Sequence, residues 1–215
     1  MKCLINTIFT ALALMLFVGC NTTPDCATEG VIHYTAKFND TTKLDGMDSM
    51  YIGKSTFSYK GDKSRYDFIS SRKDTIIIMY NEKTHKYAVL VNREGERTAF
   101  VNPHLNLDSM NLKRPRHKFE YSDETKIIAD FKCKKATIQN KNEKGKRTLY
   151  YTKELKAPLV SHLELAYYDL DGYPMEFSQM VNGKELITTI TKVGFKYVDE
   201  NIFQIPEDYK IEYTR

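Results

Sequence analysis

Ile32, Tyr34, Ala36 and Phe38 alternate with His33, Thr35 and Lys37, a period of two that places four apolar side chains on one face of an extended chain. The same pattern returns along most of the sequence. Residues 51–59 and 65–69 flank Lys60-Gly61-Asp62, where the glycine can take the positive φ of a tight turn, and they predict a hairpin. Residues 74–80 and 86–91 are the most hydrophobic strand candidates and predict a second, more central hairpin, followed by a short strand at 98–101. Further strands are predicted at 118–121, 126–128, 133–139, 148–152, 163–168, 173–181 and 186–198. Turn signals lie at Asn142-Glu143-Lys144-Gly145, at Leu170-Asp171-Gly172 and at Asn182-Gly183, the last being the strongest two-residue hairpin signal in the chain.

Residues 103–112 break the period: Leu105, Leu107, Met110 and Leu112 suit a helical turn or lid between two groups of strands. About ten antiparallel strands with short connections form a meander that must curl to bury its apolar face. The fold class expected is mostly β, a single curved antiparallel sheet forming an incomplete, half-open barrel with one or two short helices. No internal repeat or long linker interrupts it.

Composition agrees with this pattern. A chain of 215 residues with 41% hydrophobic content suits one domain after any targeting segment. Tyr and Phe number 15 and 11 while Trp is absent, which favours strands. The net charge of +4, from 32 basic against 28 acidic residues, is dispersed and too small to indicate nucleic acid.

The N-terminus differs from the rest. Lys2 precedes an apolar stretch over residues 4–18, shorter than the roughly 20 residues of a membrane span and suited to a signal peptide. It ends in Phe17-Val18-Gly19-Cys20, which resembles the lipobox of bacterial lipoproteins. That resemblance implies removal of residues 1–19, a diacylglyceryl group on the Cys20 sulfur and an acyl group such as palmitate on its amine. Residues 20–29 then form a lipidated tether and residues 30–215 the β-rich domain. Two or more acyl chains anchor stably where one does not. Asn21 stands where an Asp would signal inner-membrane retention, so the resemblance points to the outer membrane, with the periplasmic or surface face open. With Cys3 in the signal and Cys20 modified, Cys26 and Cys133 remain, a candidate disulfide in an oxidising compartment or else two separate buried thiols.

No catalytic constellation follows. His33, His85, His104, His117 and His162 stand alone, without spacings that gather imidazoles on a metal. Tyr168-Asp169-Leu170-Asp171-Gly172 has the look of a calcium loop, but Tyr167 and Ser178 stand where ligands are needed. There is no Gly-x-Ser-x-Gly elbow and no phosphate-binding glycine loop. A non-enzymatic protein with no metal and no cofactor is expected. Basic clusters at residues 113–118, 132–135 and 141–147 suit either anionic lipid head groups or the lysine-studded edges that keep strands from aggregating.

"KIIADFKCKKATI" (126–138), "YYTKEL" (150–155), "LDGYPMEF" (170–177) and "IFQIPEDY" (202–209) occur in an order that resembles uncharacterised envelope proteins related to the lipoprotein-carrier (LolA-like) fold. The likeness covers the C-terminal half well and the N-terminal half in layout. Tyr150-Tyr151 replace a frequent tryptophan, and Asp171-Gly172-Tyr173-Pro174 stand in place of the Gly-Leu-Pro-Gly-Leu-Ile string of a similar sister family. The resemblance implies a half-barrel with a lid whose concave apolar face takes an acyl chain. Tyr34, Phe38, Phe57, Phe68, Ile77, Met79, Val89, Tyr167, Met175 and Phe177 are the candidates for that face, or else ordinary core. At the C-terminus Phe203 and Ile205 are expected to plug one end of the barrel, with Tyr209 packed over it and Pro206 stopping the strand. The function expected is a lipid-anchored, outer-membrane lipoprotein that holds a lipid or other hydrophobic ligand. The alternatives are an envelope protein–protein interaction module with a filled core, and a hydrolase whose site is assembled from distant residues.

Overall fold

The computed structural model describes residues 28–42, 44–105, 117–139, 146–158, 167 and 169–214. The signal segment, Cys20, Cys26, residues 106–112 of the expected lid, the 142–145 turn and nearly all of the 163–168 strand lie outside the described residues.

The described chain forms one sheet of twelve strands. In chain order they are β1 (Glu29–Phe38), β2 (Gly53–Lys60), β3 (Lys63–Ser70), β4 (Thr75–Asn81), β5 (Lys86–Arg93), β6 (Glu96–Asn102), β7 (Lys118–Ile128), β8 (Phe131–Gln139), β9 (Lys146–Thr152), β10 (Tyr173–Val181), β11 (Lys184–Gly194) and β12 (Lys210–Tyr213). Their spatial order is β12-β6-β5-β4-β3-β2-β1-β11-β10-β9-β8-β7. Two meanders, β1 to β6 and β7 to β11, are therefore joined where β1 pairs with β11, Val31 opposite Gly194 and Phe38 opposite Leu186. Every neighbour is antiparallel except β12, which returns to lie parallel to β6. The mostly β class and the single unclosed sheet agree with the sequence reading. Helical structure among the described stretches is limited to short 3-10 turns such as Asp48–Met50 and Glu200–Phe203.

Turn chemistry accounts for the local register. Asn182 and Gly183 both take positive φ between the paired Val181 and Lys184, the geometry that matches strand twist in a two-residue hairpin. Ala129 and Asp130 do the same between Ile128 and Phe131, with no glycine or asparagine to announce it. The strands expected at 118–121 and 126–128 form one strand, β7, whose register shifts between Tyr121 and Thr125.

The core shows that the sheet is curved. Tyr66 of β3 and Cys133 of β8 belong to one packed cluster although β2, β1, β11, β10 and β9 lie between their strands. Ile32, Tyr34, Phe57, Tyr59, Met175 and Ile190 fill that cluster, so their face is the concave one. Tyr34 and Tyr173 share a hydrogen bond of 2.9 Å within it. A second cluster, including Leu149, Tyr151, Leu170 and Phe177, packs the β8–β10 region.

A third cluster lies on the opposite face. Ile77, Met79, Ala88, Leu90, Ala99 and Val101 are buried beneath Ile205 and Tyr209 of the segment leading to β12. That segment is a strap across the convex side. Arg65 donates to the Ile202 carbonyl at 2.5 Å, Lys63 pairs with Glu200, and Arg97 pairs with Asp208. Ile205 and Tyr209 thus cover a sheet face instead of plugging a barrel end. The hairpin expected to be more central, β4–β5, lies nearer the β12 edge; it is buried on its convex face and apolar but only partly buried on its concave one.

Gly30 is required by the packing at the mouth of the concave face. A methyl group there would meet Tyr59 Oη at 2.7 Å and the Gly194 carbonyl oxygen at 3.1 Å. Tyr59 Oη is buried and has no hydrogen-bond partner among the described residues. Gly30→Ala is expected to cost about 1–3 kcal/mol in urea unfolding, and adding Tyr59→Phe to recover part of that loss. A double variant no more stable than Gly30→Ala alone would place the obstacle at the Tyr59 ring carbon, 2.9 Å away, or at the Gly194 carbonyl, and not at the hydroxyl.

Candidate functional site

Residues opposite one another across a sheet share a face. The pairings Ile32–Phe57, Phe57–Tyr66, Tyr66–Ile78, Ile78–Val89 and Val89–Phe100 therefore trace one apolar row over the concave side from β1 to β6. Its burial changes steadily. Ile32 and Phe57 are 0% and 1% exposed, Tyr66 is 7%, Ile78 and Val89 are half-buried, and Phe100 reaches 38%. The next row, Phe68, Ile76, Val91 and Thr98, repeats the half-buried state. Among the described residues the concave face is filled at its centre and only partly covered over β4 to β6, a shallow apolar surface continuous with the core.

The strap backs this surface from behind. Because Ile77 and Met79 lie under Ile205 and Tyr209, β4 to β6 are held on the convex side while the described residues leave their concave side partly exposed. Beside the strap is a cleft of about 450 Å³, with Met79 and Phe203 among its apolar lining and Lys63, Lys86, Glu200 and Gln204 among its polar lining.

The ten residues expected to line a ligand face are distributed over several places. Tyr34, Phe57 and Met175 are buried in the first cluster, and Phe68 packs against it. Val89 lies on the open concave row. Ile77 and Met79 point to the convex face under the strap. Tyr167 and Phe177 belong to the second cluster, and Phe38 is 2% exposed near the far end of β1. Ile76, Ile78, Val91 and Phe100 escaped the sequence reading. The run Ile76-Ile77-Ile78-Met79 has no period, and only the register, pinned by turns at either end of the strands, assigns its faces.

Polar chemistry stays outside the apolar rows. Asp48, 0% exposed, pairs with Lys184 and accepts from the Asp45 amide at 2.9 Å, pinning the β1–β2 connection to the β10–β11 turn. Its hydrogen bond to Lys184 holds the carboxyl below the ordinary carboxylate range. On the β7–β10 strands, Lys126 pairs with Glu176 and Lys135 with Glu124, and Lys146 with Glu120, so much of the expected basic character there is neutralised. Glu124 also accepts from Tyr150 at 2.7 Å, which with partial burial pushes that phenol up to about 12. Cys133 is buried in the first cluster with its Sγ 3.4 Å from the Phe131 carbonyl oxygen. Burial pushes its thiol up to about 11, far from thiolate chemistry at neutral pH. Among the described residues no group of acidic, histidine and cysteine side chains could hold a metal ion.

No family model and no curated protein sequence matches the chain. Among solved structures it is similar to PNGF-II in two crystal forms, at TM-scores of 0.46 and 0.48 and identities of 17% and 16%. Those matches cover 86% and 87% of this chain but 31% and 32% of PNGF-II, so the chain spans about a third of that protein's length. It is also similar to MucB in complex with MucA(peri), at a TM-score of 0.36 and 8% identity over 86% of this chain and 56% of that one. A third similarity is to the lipoprotein LppX of Mycobacterium tuberculosis, at a TM-score of 0.41 and 10% identity over 79% of this chain and 88% of that one.

The Asp48–Lys184 pair carries a pH signature. A carboxyl whose folded pKa is depressed stabilises above its unfolded value, and that contribution fades as pH falls through the folded one. Asp48→Asn is therefore expected to be less stable than the parent at neutral pH, with the gap closing below about pH 4. Urea midpoints at a series of pH values measure it, and a gap independent of pH would remove the ion pair as its cause.

Proposed function

We infer that this protein is a lipid-anchored lipoprotein of the bacterial envelope, most naturally of the outer membrane, with a LolA-like half-barrel that binds a lipid or another hydrophobic ligand without catalysing a reaction. The single observation behind the binding role is the apolar row that runs from fully buried Ile32 to the exposed ring of Phe100 without a polar interruption. Covering the exposed part of a partly buried aliphatic side chain recovers up to about 1 kcal/mol, and each methylene of a bound chain adds about 0.8 kcal/mol. An acyl chain laid along Ile78, Val89 and Phe100 gains from both. The anchor rests on the lipobox-like Phe17-Val18-Gly19-Cys20.

A second reading is favoured by how completely the centre of the concavity is filled. Tyr34, Phe57, Tyr59 and Met175 are all 2% exposed or less, and the open strip over β4–β6 then suits an amphipathic segment of another envelope protein.

Native mass spectrometry of protein purified from the envelope, with titration by a fluorescent fatty acid, separates the two. The ligand reading expects a bound lipid and saturable uptake. Val89→Glu and Phe100→Glu should each weaken uptake at least about tenfold, because a desolvated carboxylate on an apolar path costs well over the 1.4 kcal/mol that tenfold represents. Ile127→Glu, on exposed β7, should leave it unchanged. A protein that emerges free of lipid and shows no saturable uptake overturns the ligand reading and favours docking.

A further inference from the structure

The end of the sheet at which β1 begins carries a feature that neither the apolar row nor the strap uses. β11 ends at Gly194, opposite Val31, and the chain continues through Phe195-Lys196-Tyr197 to Val198. Phe195 and Tyr197 are 46% and 73% exposed, whereas Val198 is buried. The tripeptide is held at both ends. Val198 donates its amide to Glu29 at 2.9 Å, Lys60 donates to the Val198 carbonyl at 2.9 Å, and the Lys60 ammonium sits 4.3 Å from the centre of the Tyr197 ring. Two aromatic rings are thus presented to solvent on a fixed support instead of on a loose loop.

Positive charge accompanies them. Lys192 and Lys196 are exposed and make no ion pair among the described residues, and His33, opposite Lys192, lies within their field. The polar-edged ring of Tyr197 and the apolar ring of Phe195, flanked by lysines, suit the boundary between lipid head groups and acyl chains. The position matters as much as the chemistry. Seven residues separate Cys20 from Thr28, a link of at most about 3.6 Å per residue. The ten residues of β1 extend about 33 Å away from that point.

We propose that Phe195 and Tyr197, with Lys192 and Lys196, form a docking surface for the anionic bilayer that holds the lipid on Cys20, setting the sheet upright with its β1–β2 connection farthest from the membrane. The proposal rests on the lipid-anchor reading of Cys20. Lipid docking distinguishes this end from the β1–β2 connection, where exposed Met47 lies beside the Asp48–Lys184 pair.

The chain has no tryptophan, so a single introduced indole reports its own surroundings. The full-length protein carrying Tyr197→Trp, or Met47→Trp as the far-end control, is reconstituted in phosphatidylglycerol vesicles with brominated acyl chains. The reporter at position 197 should shift its emission to the blue and be quenched at least about twofold, while the reporter at position 47 is unchanged. Lys192→Glu with Lys196→Glu should reduce that quenching, each lysine being worth about fivefold in binding to an anionic surface. An acylated protein whose reporter at position 197 is quenched no more than that at position 47 overturns the docking surface and leaves the anchor standing. A protein whose mass shows no acyl group on Cys20 overturns the anchor reading, and the docking surface with it.

Discussion

β1 is paired along both of its sides, with β2 and with β11, and the rest of the sheet depends on that double pairing. Each meander pairs strands that follow one another in the chain, so its closures are local and cost comparatively little chain entropy. Joining them brings residues near position 32 against residues near position 193, the most non-local strand pairing among the described residues, and that closure has to be offset by burial at the seam. Ile32, Tyr34, Phe57 and Ile190 supply it, and the Tyr34–Tyr173 hydrogen bond satisfies two phenols that the same closure removes from water. The curvature that makes one face concave arises where these side chains pull the two halves together.

The strap gives the β4–β6 end a different architecture. A sheet that is apolar on both faces ordinarily has both covered. Here the convex face is covered by Ile205 and Tyr209, held in place by Arg65 and by β12, while the concave face keeps Ile76, Ile78, Val89 and Phe100 half-buried or exposed. The burial behind β4–β6 keeps the strands in place, so the open apolar surface does not depend on a ligand for its shape. It also explains why β4 and β5 are the most hydrophobic strands without being the most central ones.

The two ends of β1 differ in chemistry. Around its start lie exposed aromatic rings, a cation over one of them and lysines without ion-pair partners among the described residues; around its finish lies a buried carboxylate neutralised by Lys184. The apolar rows run across the strands, between these ends. Any ligand on them meets the sheet sideways, at a distance from both.

Strand existence was legible wherever one face is buried and the other wet, as in β1, or wherever turn chemistry is unambiguous, as at Asn182-Gly183. The turn at Ala129-Asp130 was illegible, because alanine takes a conformation it does not advertise, and so was β12, four residues whose parallel pairing depends on a strap arriving from elsewhere. Composition and alternation by themselves determined a mostly β chain curled around an apolar face, because period two is a local property of the backbone. Which apolar residues share that face was decided only by the tertiary structure. In Ile76-Ile77-Ile78-Met79 every residue is hydrophobic, a one-residue slip exchanges the two faces, and only the pairing with β3 and β5, together with the strap over one side, assigns each side chain to the core, the convex cover or the open row.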